Sequence, residues 1–191
     1  MKTARLEAFS DAVIAIAITI MVLEMKVPRG AELAALRPLL PSLTSYALSF
    51  VYLAIYWNNH HHLLNVTERV NGSILWANMH LLFWLSLFPL VTGWLGGNRG
   101  AVWPTVLYGF VLLMAGFAYF VLERAIVASH VQDSRIARAI GQRVKERASI
   151  ALYAGAIALA FVAEWIAQAL YVAVALLWLV PDRRIELALG A

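Results

Sequence analysis

The chain has 191 residues, 62% hydrophobic and 14% charged, with a formal charge of +4; soluble domains average roughly 45–50% and about 25%. With a mean hydropathy of +0.75, this length leaves no room for a large soluble domain, and the chain reads as a single all-α integral membrane unit over residues 1–191. The absence of Cys excludes disulfides, thiolate metal sites and Cys nucleophiles.

A spanning helix needs roughly 20 mostly apolar residues. The first is expected from about Thr3 to Lys26. Lys2 and Arg5 precede it, but Asp11 lies inside it and no small-residue cleavage site comes before Glu24. It therefore reads as a retained span and not as a cleaved signal. Pro28-Arg29-Gly30 ends it, and a short amphipathic piece follows around Leu33–Leu40, stopped by Pro38 and Pro41. Span 2 is expected over Leu43–Leu64, followed by a polar turn from Thr67 to Gly72. Span 3 covers Ile74–Leu95 and contains Pro89; Gly96-Gly97-Asn98-Arg99-Gly100 is a loop. Span 4 starts near Pro104, a favourable first-turn position, and ends near Glu123-Arg124, before a basic segment from Arg135 to Arg147. The run from Ile150 to Val180 would be ~46 Å long as one helix, too long for a ~30 Å hydrocarbon core. It is expected to split into two short spans near Glu164-Trp165.

Charge placement supports six spans. With a cytoplasmic N-terminus, they put Lys2, Arg5, Arg69, Arg124, Arg135, Arg138, Arg143, Lys145, Arg147, Arg183 and Arg184 inside. Only Lys26, Arg29, Arg37 and Arg99 fall outside. That asymmetry follows the positive-inside rule, so both termini are expected in the cytoplasm. The basic excess is then a topology signal and an anionic-lipid contact, not a nucleic-acid surface. No internal repeat and no interrupted helix is expected.

Asp11 in the first apolar run is unfavourable by ~2.5–3.5 kcal/mol at mid-membrane and by less near an end, so such residues face a partner or a water-filled path. At 100° per residue, Ile16, Ile20 and Leu23 share a stripe with Thr19 at its flank, while Ser10 and Asp11 lie on other faces. Periodicity alone favours contact of that stripe with lipid or with a neighbouring helix. Span 2 ends in Trp57-Asn58-Asn59-His60-His61-His62. Adjacent His residues point about 100° apart, so the tract is poorly spaced for a metal, and no metal or cofactor is expected. His60 is expected to point into the bundle, and His61 and His62 toward the cytoplasmic interface. Asn78 in span 3 suits a helix-to-helix hydrogen bond. With Ser10, Asp11, Trp57 and His60 it can complete a polar knot between spans 1, 2 and 3.

Arg5-x-x-x-Phe9-Ser10-Asp11 at the start of span 1, Trp57-x-x-His60 late in span 2, and Asn78 eleven residues before Pro89 together resemble the endolysosomal potassium-channel family, in its bacterial branch. The resemblance implies a homotetramer of six-helix subunits in the bacterial cell membrane. Helix 1 of each would line a path for potassium and other monovalent cations. It implies hydrophobic constrictions at Ile16, Ile20 and Leu23, a selectivity-related Thr19, and an interhelical network of Arg5, Phe9, Ser10, Asp11, Trp57, His60 and Asn78. No TVGYG-like carbonyl filter is present in the sequence. Two other readings compete with it. One is a proton-coupled secondary transporter relaying through Asp11 and His60. The other is an intramembrane enzyme using the His tract with a metal, although nothing in the chain resembles a soluble active site.

Overall fold

The computed structural model describes residues 3–65, 67, 69–129 and 144–179. They form the helices α1 (Thr3–Leu23), α2 (Leu40–Asn65), α3 (Gly72–Ser86), α4 (Phe88–Gly97), α5 (Val102–Ser129), α6 (Val144–Ala160) and α7 (Glu164–Leu179), with a 3-10 helix at Leu33–Leu39 before α2. Four runs are long and apolar enough to cross a membrane: Thr3–Leu23, Leu33–Asn65, Gly72–Gly97 and Val102–Ser129. Two apolar helices, α6 and α7, are shorter.

The last apolar run divides as its length requires, a few residues earlier than expected. Phe161-Val162-Ala163 make the turn without Gly or Pro. The N–H of Val162 and that of Ala163 both bond the Leu159 carbonyl, at 2.9 and 2.8 Å. Glu164 then opens α7, its carboxylate in the first turn where the helix dipole favours negative charge.

Span 3 departs from the sequence reading, which anticipated no interrupted helix. It breaks at Leu87, between α3 and α4. Pro89 has no N–H, so the Leu85 carbonyl loses its i+4 donor and the ring crowds that turn. The chain bridges the gap with Leu87 N–H to Trp84 O at 3.2 Å and resumes with Val91 N–H to Leu87 O at 3.2 Å.

Helix α1 packs on α2, α3 and α4, whereas α5 packs on α3, α4 and α6, and α7 lies against α6. One end gathers the start of α2, the end of α4 and the Gly100 loop. There a Cβ on Gly96 would come 2.8 Å from Ser42 Cα, and one on Gly100 3.6 Å from the Glu164 carboxylate. Lys26, Arg29, Arg37 and Arg99 belong to the segments at this end. At the other end, Thr3 Oγ1 donates to the Thr67 carbonyl at 2.9 Å, two residues from Arg69. Lys2, Arg135, Arg138, Arg143, Arg183 and Arg184 lie outside the described residues.

Among the described glycines, the most tightly enclosed is Gly109 in α5. A Cβ there would sit 1.9 Å from the Tyr171 hydroxyl and 2.6 Å from its Cζ, and Tyr171 is fully buried, donating to the Thr105 carbonyl at 3.1 Å. Gly109→Ala is expected to destabilise the protein by about 1–3 kcal/mol through overpacking. Tyr171→Phe removes the nearest of the clashing atoms and should recover part of that loss, which thermal unfolding in detergent would measure.

Candidate conduction helix and its polar anchors

Helix α1 has two unlike sides. Leu6, Ser10, Ile14, Ala17 and Met21 recur at steps of three and four and are buried against the bundle. The opposite side is bare in the single chain: Ile16 is 57% exposed, Ile20 40% and Leu23 76%, and Thr19 is also exposed. The Thr19 hydroxyl donates to the Ala15 carbonyl one turn back, at 2.8 Å. The stripe read from the sequence is therefore a continuous apolar face with nothing packed on it.

Polar side chains tie the lower third of α1 to its neighbours in two sets. The first is buried. His60 Nε2 and Asn78 Oδ1 are 2.7 Å apart, Asn78 Nδ2 donates to Ser10 Oγ at 3.0 Å, and Ser10 Oγ donates to the Leu6 carbonyl at 2.9 Å. The order of donors assigns the His60 tautomer. With Asn78 Nδ2 facing Ser10, its carbonyl faces the imidazole, so Nε2 carries the hydrogen. Ser10 and Asn78 are fully buried and His60 is 1% exposed; its Nδ1 has no hydrogen-bond partner.

The second set is a partly exposed ladder along antiparallel α1 and α2. Trp57 Nε1 donates to Asp11 Oδ1 at 2.9 Å. One turn down, His61 Nδ1 meets Glu7 Oε1 at 2.8 Å. A further turn down, Thr3 bonds the Thr67 carbonyl. Asn65 Nδ2 lies 3.0 Å from His61 Nε2. If the amide donates there, Nδ1 carries the hydrogen given to Glu7. The Trp57 and His61 rings stack at 6.0 Å.

The structure thus resolves the expected knot into two. Ser10, His60 and Asn78 come together, and Asp11 pairs with Trp57. No hydrogen bond joins Asp11 to His60, the two residues of the proton-relay reading. Ser10 and Asp11 are adjacent on a helix and diverge by about 100°, one toward α3 and the other toward α2. Arg5 and Phe9 are exposed and join neither set, and Arg5 makes no hydrogen bond or ion pair among the described residues. Both fall within about 20° of Ile16 around α1, away from the bundle. Sequence reasoning overlooked Glu7 and sent His61 to the interface without a partner. The signal was there, since Thr3, Glu7 and Asp11 repeat at i+4, as do Trp57 and His61.

The comparisons with known proteins converge. Residues 5–89 match the family model described as endosomal/lysosomal potassium channel TMEM175. A potassium channel of Chryseobacterium sp. (strain P1-3) is 51% identical over 189 residues, 99% of this chain and 98% of the relative. One of Streptomyces collinus is 31% identical over 144 residues, 71% and 70% of the two chains. The crystal structure of a lysosomal potassium-selective channel TMEM175 homolog from Chamaesiphon minutus superposes with a TM-score of 0.76 at 28% identity, covering 92% of this chain and 95% of that one. Near-complete coverage at 51% identity, with the fold shared as well, places this membrane protein in the TMEM175 potassium-channel family, a family of channels and not of enzymes.

Proposed function

We propose that the chain is one subunit of a homotetrameric, potassium-permeable cation channel, with six membrane spans and both termini in the cytoplasm, in the bacterial cell membrane. The observation that carries this reading is the bare face of α1. A single subunit leaves Ile16, Ile20 and Leu23 unpacked along one line, and one helix cannot enclose a path. Several copies of α1 facing one another can. Rings of Ile16, Ile20 and Leu23 then make an apolar neck that resists ions by dewetting and needs no carbonyl filter. Thr19 places a hydroxyl at its flank, the selectivity-related position. The sets built on Ser10, His60 and Asn78 and on Asp11 and Trp57 set the angle of α1 without touching the ion. Arg5 and Phe9, on the face that points away from the bundle, join them only across subunits. Anionic lipid meets the basic residues at the cytoplasmic face.

Two measurements test this. The mass of the purified protein in mild detergent should be four times that of the chain, and a monomer or dimer would remove the basis for the path. Planar-bilayer recording in asymmetric KCl and NaCl should show unitary currents favouring potassium. Flux at transporter turnover that requires a proton gradient would instead support coupled transport.

A further inference from the structure

The end of the bundle that gathers the loop after α1, the start of α2 and the end of α4 holds an open recess of about 990 Å³. Small-molecule sites run roughly 300–1,000 Å³, so there is room for a sizeable ligand. Its walls are of two kinds. Met21 of α1, Leu39 of the 3-10 helix and Tyr46 of α2 supply apolar surface, whereas Glu24, Lys26 and Arg29 supply charge. Among the described residues, none of those three charged side chains forms an ion pair. The carboxylate lies against bare backbone of α4: a Cβ on Gly93 would come 3.1 Å from Glu24 Oε2. Both cations belong to the loop after α1. The recess therefore offers one anion and two cations beside apolar walls.

The surroundings place it at the depth of lipid headgroups. Trp94, Trp103 and Trp165 are exposed at the same end, at 41%, 65% and 67%, and exposed Trp residues mark the level where membrane meets water. The segment that borders the recess carries Val27 and Leu33, 86% and 85% exposed, next to Lys26, Arg29 and Arg37. Bare apolar side chains interleaved with basic ones suit a segment lying in that layer.

We propose that this recess binds a phospholipid whose headgroup carries both a primary ammonium and a phosphate, the ethanolamine type. The ammonium meets Glu24, the phosphate meets Lys26 and Arg29, and the first methylenes of the acyl chains run along Met21, Leu39 and Tyr46. Hydrogen bonds between charged partners are the strong ones. A headgroup with anionic charge alone would serve both cations and leave Glu24 facing a like charge. A quaternary ammonium would offer Glu24 no N–H to accept. An occupied recess would tie the Leu23 end of α1 to the loop that follows it. The effect of that tie on current rests on the channel reading; the binding does not.

The probes are dioleoyl phosphatidylethanolamine, phosphatidylglycerol and phosphatidylcholine, titrated singly into delipidated full-length protein in detergent, with bound lipid counted by native mass spectrometry. The ethanolamine lipid should bind saturably, roughly three- to tenfold tighter than the choline lipid, the range of one hydrogen bond. Glu24→Gln should erase that margin. The double variant Lys26→Gln, Arg29→Gln should weaken the ethanolamine lipid by at least as much. Glu24, Lys26 and Arg29 are exposed, so these variants should fold. Anionic lipid held by basic residues at the opposite face would not respond to Glu24→Gln. Glycerophosphoethanolamine, the same headgroup without chains, should not compete at equal concentration. Equal retention of all the lipids, an unchanged margin in Glu24→Gln, or indifference to the double variant would overturn the proposal. So would competition by glycerophosphoethanolamine as strong as that of the lipid itself, which would assign the recess to a soluble zwitterion.

Discussion

Ile16→Asn is expected to raise single-channel conductance and to lower the preference for potassium over sodium. On the proposed reading, four Ile16 side chains close the neck about one and a half turns beyond Asp11. They offer a partly dehydrated cation no oxygen, so the lost hydration is uncompensated. Four amides would keep water in the ring. Lowering the barrier there by about 1.4 kcal/mol would raise throughput about tenfold. The control is Ile14→Asn. Ile14 is 2% exposed and packs on the bundle, so a polar amide there should harm folding without raising conductance. Planar-bilayer recording of both variants separates the two faces of α1. Normal assembly with unchanged currents in Ile16→Asn would remove Ile16 from the path.

Asn78→Ala is expected to be the most damaging single change among the polar anchors. Among the described residues, Asn78 is the only hydrogen-bond partner of the His60 side chain, because Nδ1 has none. Truncation leaves an imidazole that is 1% exposed with no hydrogen bond at all, and Ser10 Oγ without its donor. A destabilisation of about 1–3 kcal/mol follows from the orphaned group, with a further loss from the space left behind. Asp11→Ala should cost less, because its partner Trp57 is 45% exposed and can find water or headgroup instead. Thermal unfolding of the detergent-solubilised protein would rank them. The double variant His60→Leu, Asn78→Leu removes both partners and should recover much of the loss. If it is as unstable as the sum of the single changes, the pair is not coupled as described.

The helices were largely legible because membrane thickness leaves few choices. Apolar runs of sufficient length, a Pro-Arg-Gly break and a charge asymmetry fix where spans start and stop. The over-long final run had to divide, although no breaker marks the turn at Phe161-Val162-Ala163. The break at Leu87 was missed because Pro89 was placed inside one continuous span without regard to the donor it withholds from Leu85. The members of the buried anchor were readable as polar residues in apolar helices, which must find one another. Their pairing was not. Which of two adjacent residues, Ser10 or Asp11, meets α2 and which meets α3 depends on how α1 is rotated between those helices. Hydropathy does not fix that angle. Glu7 escaped notice because a Glu near a span end needs no partner on hydropathy grounds. Only its i+4 relation to Asp11 pointed to His61.

All the side-chain hydrogen bonds from α1 to the rest of the bundle, among the described residues, fall between Thr3 and Asp11; beyond Asp11 the helix is held by apolar packing of Ile14, Ala17 and Met21. Mechanically, α1 is a beam with its polar clamps at one end and only non-directional apolar contacts along the rest. The length beyond the clamps is about 18 Å from Asp11 to Leu23, and about 7.5 Å to Ile16. A swing of about 5° about the clamp would carry Leu23 sideways by about 1.6 Å and Ile16 by about 0.7 Å, given those lengths. On the proposed tetrameric reading, the three rings would therefore not dilate together. The outermost would travel farthest, and the ring nearest the clamp would hold its width longest.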